Sequence, residues 1–226
     1  AKTLVLNGAN AQTLLVLARE SGGQRDTAGL SLFLVGADCP GLTVRGLPTY
    51  DGRQTAELEL REVAVTAQAR VGEAGLAWAA VEAAIDRATV MLCAEAVGAM
   101  DRALTMTRDY LRTRKQFGKA ITDNQVIRHR LVDMMVAIEQ SRAITEAAAH
   151  GLDSDARGRR RAVSLAKAFV SGAGRRVGED AVQLHGAIGM TDEYEVGQCY
   201  KRLAAAANLF GDAEWHGARL SDGGAG

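Results

Sequence analysis

After Pro48 the chain never uses proline again, and this absence constrains its fold more than any other feature. Proline inside a helix removes a hydrogen bond and clashes with the preceding turn, so its absence leaves long helices open. Residues 76–112 read LAWAAVEAAIDRATVMLCAEAVGAMDRALTMTRDYLR, Ala-rich with one glycine, and predict a very long helix. A second helix is expected from Asp123, read as its N-cap, to about residue 150, with Ile127, Leu131, Met134 and Ile138 on one face. A third, over about 158–186, aligns Leu165, Phe169, Ala173, Val177, Ala181 and Leu184. Two shorter helices follow GMTDEY. Apolar stripes on long helices joined by compact loops call for an antiparallel four-helix-bundle type of packing.

Residues 1–65 follow a different period and hold both prolines, Pro40 and Pro48. TLVLNG, TLLVLAR, LSLFLVG, LTVRGL and AELELREVAV read as strands bounded by turn residues, with Leu58 and Leu60 alternating with Glu57, Glu59 and Arg61. A small antiparallel β-region feeding a helical bundle gives an α+β class. The chain starts at Ala1, and AKTLVLNG reads as if entered in mid-strand, so a fragment of a longer polypeptide is expected.

Lys+Arg and Asp+Glu number 27 each, which gives no reason to expect nucleic acid or an anionic membrane as the main partner. Cys39, Cys93 and Cys199 are far apart and odd in number, a usage that suits a reducing cytoplasm. No apolar run reaches membrane-spanning length.

Chemistry is concentrated in three loops. RTRKQFGKAITDNQ sets Arg112, Arg114, Lys115 and Lys119 around Phe117-Gly118. Arginine forks fit phosphate oxygens and a ring beside them can stack on a base. A basic helix end with a glycine stop explains the same residues. The third helix ends in QLHGAIGMTDEY, where Gly186 and Gly189 permit a close backbone approach or a tight turn, and His185 reads as structural or as a base. In LFGDAEWHG, Asp212 reads as an N-cap, Glu214 as a first-turn acid, and His216 as a partner for Asp212 on the same face. The run RGRRR, 157–161, reads as a solvated helix entry.

Taken together, RTRKQFGK, the following NQ and the helix ending in QLHGAIG resemble the acyl-CoA dehydrogenase family, over essentially the whole chain. The resemblance implies that residues 1–70 are the second half of that family's middle β-domain and that 71–226 are its C-terminal helical domain. The final segment most resembles the small subunits of bacterial pimeloyl-CoA-type dehydrogenases. It implies FAD as cofactor, with Arg114, Gln116, Phe117, Gln125 and the segment Gln183, Leu184, His185, Gly186 and Ala187 as contacts, Ala187 replacing the usual second glycine. It also implies an acyl-CoA substrate, an electron-transfer acceptor protein, and a homo- or hetero-oligomer in the cytoplasm.

Departures from the family pattern carry equal weight. Leu4 and Leu6 stand where the family places an aromatic and a Thr against the flavin ring. The family's catalytic Glu falls on Phe210, and the alternative base position on the first long helix falls on Ala88. Asp212, two residues past Phe210, is a candidate substitute, though as an N-cap its carboxylate is expected to turn back to the following turn. The implied reading is a subunit without its own base, paired with a Glu-bearing paralogue. The alternative is a catalytically silent structural or regulatory bundle without flavin.

Overall fold

The computed structural model describes residues 1–222, and it divides the chain into two compact units that meet in sequence between Ala84 and Ile85.

The first unit is built from short strands: β1 Lys2–Leu6, β2 Thr13–Arg19, β3 Leu30–Gly36, β4 Leu42–Pro48, β5 Gln54–Leu60 and β6 Arg70–Val71. They form two antiparallel sheets, ordered β1-β5-β4 and β2-β3-β6. Alternation directs Leu14, Val16 and Val35 from one sheet, and Ala56 and Leu58 from the other, into a shared core. The expected fifth strand stops at Leu60, because Glu62 takes a left-handed backbone (φ 52°) that ends the pairing. β1 carries a bulge between Lys2 and Val5, with Leu4 at φ 51°.

The second unit holds the helices. α1 spans Trp78–Thr113, and its N-terminal end lies in the first unit's residue range. A two-stranded hairpin, β7 Lys115–Gln116 and β8 Lys119–Ala120, leads to α2 Gln125–His150. α3 Ala156–His185, α4 Glu195–Asn208 and α5 Ala213–Asp222 follow. The long helices therefore fall where the apolar periodicity places them. The core is filled by Met100 and Leu111 of α1, Met134 and Ile138 of α2, Val163, Val170 and Val177 of α3, and Leu203 of α4.

Local details differ from the sequence reading. The cap of α2 is Asn124 rather than Asp123, and no side-chain capping bond forms there; Asp123 instead closes a short 3-10 turn. On α3 the buried stripe runs through Val163, Ala166, Val170, Ala173, Val177 and Ala181, so that Leu165 is left exposed and Phe169 half-buried. Among the described residues no helix is long and apolar enough to cross a membrane.

Candidate functional site

The loop RTRKQFGK and the helix end QLHGAIG share one end of the bundle. In the last turn of α1, the Tyr110 ring stacks on His185 at the end of α3, with centroids 4.7 Å apart. Tyr194, the N-cap of α4, closes on His185 from another side at 5.0 Å. His185 is buried, and its Nδ1 donates to the Ala181 carbonyl at 2.8 Å. That bond fixes the tautomer and leaves Nε2 as an acceptor. Among the described residues, this Nε2 is the buried side-chain nitrogen left without a hydrogen-bond partner. Burial holds the imidazole below its ordinary pKa, so it is neutral near pH 7.

At this same end, Arg114 N donates to Tyr110 O at 2.8 Å, and Ile121 N donates to Arg114 O at 3.0 Å, which ties the hairpin base to α1. The loop is thus a hairpin and not a simple helix stop. Its tip is Phe117-Gly118, both at positive φ (52° and 81°), a two-residue turn of the primed type that matches strand twist. Phe117 is 97% exposed. Arg114, Gln116, Gln125 and Gln183 are also exposed, and Leu184 is buried in the core. Gly186 turns at φ 67° with open space where a Cβ would project, and Ala187 beside it is exposed. Arg130 of α2 pairs with Asp180 of α3 at 3.7 Å, bringing the start of α2 to the same end.

The LFGDAEWH turn lies away from that end, against Lys167 in the middle stretch of α3. Asp212 caps α5 as expected, its Oδ1 accepting from Trp215 N at 2.8 Å. The side chain of His216 does not pair with Asp212. It is buried, with Nε2 donating to Phe210 O at 3.0 Å and Nδ1 accepting from the Ser164 hydroxyl at 3.1 Å. Burial drives its pKa down to about 4, with the Phe210 carbonyl opposing that shift and nearby Lys167 and Arg219 adding to it.

Lys167, on the inner face of α3, is 2% exposed and spends its ammonium on Ala207 O (2.9 Å), Gly211 O (2.8 Å) and Ser171 Oγ (3.1 Å). Desolvation lowers its pKa to about 8. Cys93 nearby is pushed up to about 11 by burial and stays a thiol. Beneath α5, buried Asp86 accepts from Arg159 Nε at 2.9 Å and from both Arg219 terminal nitrogens at 3.1 Å. Arg159 therefore corrects the reading of RGRRR as wholly solvated. Sequence reasoning missed Asp86, Lys167 and Arg219. A signal existed for the first two: each is a charge set three or four residues from apolar members of a buried stripe.

Residue 210 itself sits in a left-handed turn, Phe210 at φ 58° and Gly211 at φ 96°. A Cβ on Gly211 would lie 2.6 Å from the Trp215 ring, so glycine is required there. The turn offers a half-buried aromatic ring and no carboxylate except the exposed, cap-engaged Asp212. Ala88 on α1 is likewise half-buried and apolar.

Helix order, turn placement and residue pattern together agree with one known domain: residues 75–223 match the model of the acyl-CoA dehydrogenase C-terminal domain. The chain belongs to the acyl-CoA dehydrogenase family. It is 32% identical over 203 residues to a cyclohexane-1-carbonyl-CoA dehydrogenase of Geobacter metallireducens, covering 88% of this chain and 53% of that protein. It is 30% identical over 204 residues to a cyclohex-1-ene-1-carbonyl-CoA dehydrogenase of Syntrophus aciditrophicus, covering 86% of this chain and 48% of that protein. The fold superposes on the crystal structure of an acyl-CoA dehydrogenase from Geobacillus kaustophilus with a TM-score of 0.90 at 25% identity, over 97% of this chain and 59% of that one. The chain thus spans about half the length of the curated relatives it matches. As a family member it is related to oxidoreductases that act on acyl-CoA thioesters.

Proposed function

We propose that the chain is a subunit of an FAD-dependent acyl-CoA dehydrogenase that lacks its own catalytic base and works beside a Glu-bearing paralogue. The observation that carries this reading is the separation of two sets of residues on one helix. Lys167, under the Phe210 turn, and Gln183, beside the hairpin, stand sixteen positions apart on α3. At 1.5 Å per residue that is about 24 Å along the axis. Residues placed at the far end of the bundle are suited to serve a dinucleotide reaching in from a neighbouring subunit rather than a reaction at the chain's own turn.

The hairpin end fits the cofactor's phosphate and adenine portion. Arg114 supplies an exposed cationic fork, and Phe117 supplies a ring that covers nothing within its own unit. Gly186 leaves room for a close backbone approach. The strand that should face the flavin ring fits poorly. Leu4 and Leu6 are exposed apolar side chains, 64% and 46%, able to make contact but not to donate a hydrogen bond. When bound, FAD supplies the acceptor for the β-hydride of the thioester. The α-proton needs a positioned base, and neither Phe210 nor Ala88 can take it. That role passes to the partner's carboxylate.

The test is FAD retention by the assembly of this chain with its partner. Arg114→Ala should weaken retention well beyond Arg160→Ala, because Arg160 lies at the start of α3, away from the hairpin. Equal losses would count against the assignment. Absence of flavin from every assembly would instead favour the catalytically silent bundle.

A further inference from the structure

The connection between α4 and α5 is short, yet two buried polar side chains are committed to it. Lys167 and His216 are 2% and 1% exposed, and between them they engage the carbonyls of Ala207, Phe210 and Gly211. A simple helix end needs far less, since a single left-handed glycine satisfies most terminal carbonyls. Burying an ammonium costs several kcal/mol unless its protons are all engaged. Here all three have acceptors, two of them on this one turn. Among the described residues no carboxylate makes a hydrogen bond to this ammonium. Cys93 faces it from α1 as a neutral thiol, Asp212 attracts it only from the exposed cap position, and His216 on α5 is uncharged near pH 7. The remaining attraction comes from the carbonyl end of α4.

What this arrangement maintains is a strained backbone. Phe210 sits at φ 58°, a conformation that is strained for a non-glycine residue and survives only where its surroundings enforce it. We propose that Lys167 is the positioning residue for residue 210: by holding the carbonyls of Ala207 and Gly211 while His216 holds the one between, it sets the direction in which the side chain at 210 leaves the turn. The inference rests on the reading above only in assigning this turn to the acyl thioester; the geometric claim stands apart from it. Lys167 touches no reacting atom. It acts through the backbone of the turn.

The experiment labels the full chain with 4-fluorophenylalanine and follows the Phe210 resonance, assigned by its loss in Phe210→Leu, together with amide exchange. Lys167→Met should shift or split that resonance and speed exchange across 209–213 at least tenfold, while amides in the middle of α2 stay within about twofold. Ser171→Ala removes an acceptor of the ammonium but neither turn contact, and should leave the resonance in place. A Lys167→Met protein that is merely less stable, with the 210 resonance and turn exchange unchanged, would overturn the proposal. Should that variant fail to fold, a titration of the unaltered chain decides. The Phe210 resonance should move with a midpoint near pH 8, where Lys167 titrates and neither His216 (about 4) nor Cys93 (about 11) does. A flat response from pH 7 to 9 would refute it.

A final arm separates the two claims. In the FAD-loaded assembly whose partner carries Gln in place of its catalytic Glu, Phe210→Glu should restore turnover, and adding Lys167→Met should reduce kcat with KM held. If Phe210→Glu stays inert while the fluorine and exchange effects appear, the assignment of the turn to the acyl thioester fails and the positioning role remains.

Discussion

His216 shows how one buried side chain makes the acid response of this fold predictable. Its pKa falls from 6.5 to about 4, chiefly through burial, so between those values the unfolded chain binds a proton that the folded chain refuses. Stability present above pH 6.5 is therefore lost as pH falls toward 4, with a slope of up to about 1.4 kcal/mol per pH unit. His185, also lowered by burial, acts in the same direction. Thermal melts from pH 7 to 4.5 should show this loss, and His216→Gln, which can still donate to Phe210 O, should flatten it. An unchanged slope in that variant would show that the acid sensitivity lies elsewhere. Gly211 gives a second test at this scale. Gly211→Ala forces a methyl to 2.6 Å from the Trp215 ring at φ 96° and should cost about 1–3 kcal/mol in a denaturant melt.

Among the elements, the β7–β8 hairpin departs furthest from what folding alone would select. A turn with both residues at positive φ favours Asn-Gly, yet here Phe117 precedes Gly118 and stands 97% exposed. Phe117→Asn should thus leave stability unchanged or raise it by up to about 1 kcal/mol, while FAD retention by the assembly drops. A lower melting temperature with FAD retention intact would mean that the ring serves the fold. In the helices the contrast lies between faces: Met100 is fully buried and Met91 is 72% exposed on the same helix. Met100→Ala should cost about 2–5 kcal/mol, and Met91→Ala should fall within about 0.5 kcal/mol of zero. These elements were legible in the sequence because their signals are local. A period of about 3.6 over thirty or so residues marks α1 to α3, and Gly-Asp before AEWH marks the cap of α5. The hairpin was not legible, since four strand residues carry no period, and the same basic run reads equally well as a helix end. Lys167 bonds to carbonyls 40 and 44 residues away, and Arg219 reaches Asp86 across 133. No local pattern encodes such pairings; the only trace is a charge on an apolar stripe.

For the whole molecule, the proposed function assigns different roles to two regions of the bundle. One region presents Arg114, Phe117 and the Gly186 turn; the other holds Phe210 in a clamped turn, where the resemblance to the family leads to the expectation of a carboxylate. The family membership is established by the match over 75–223, and the long helices and candidate loops were readable before it. The proposal that the base is missing rests on Phe210 and Ala88, both legible in the sequence, whereas the clamp beneath the turn was not. A chain built this way should purify nearly colourless by itself and acquire FAD only with a neighbour; stoichiometric FAD on the isolated monomer would refute that. The most direct measurement is turnover of an acyl-CoA by the FAD-loaded assembly carrying one substitution at a time. Replacing the partner's catalytic Glu by Gln should abolish turnover, since a positioned base contributes on the order of 10²–10⁴-fold. Asp212→Asn in this chain should leave the rate within a few-fold, because that carboxylate is engaged with Trp215 N at 2.8 Å. Loss of activity in Asp212→Asn together with survival of the partner's Glu→Gln variant would contradict the account and make this chain's own turn the catalytic one.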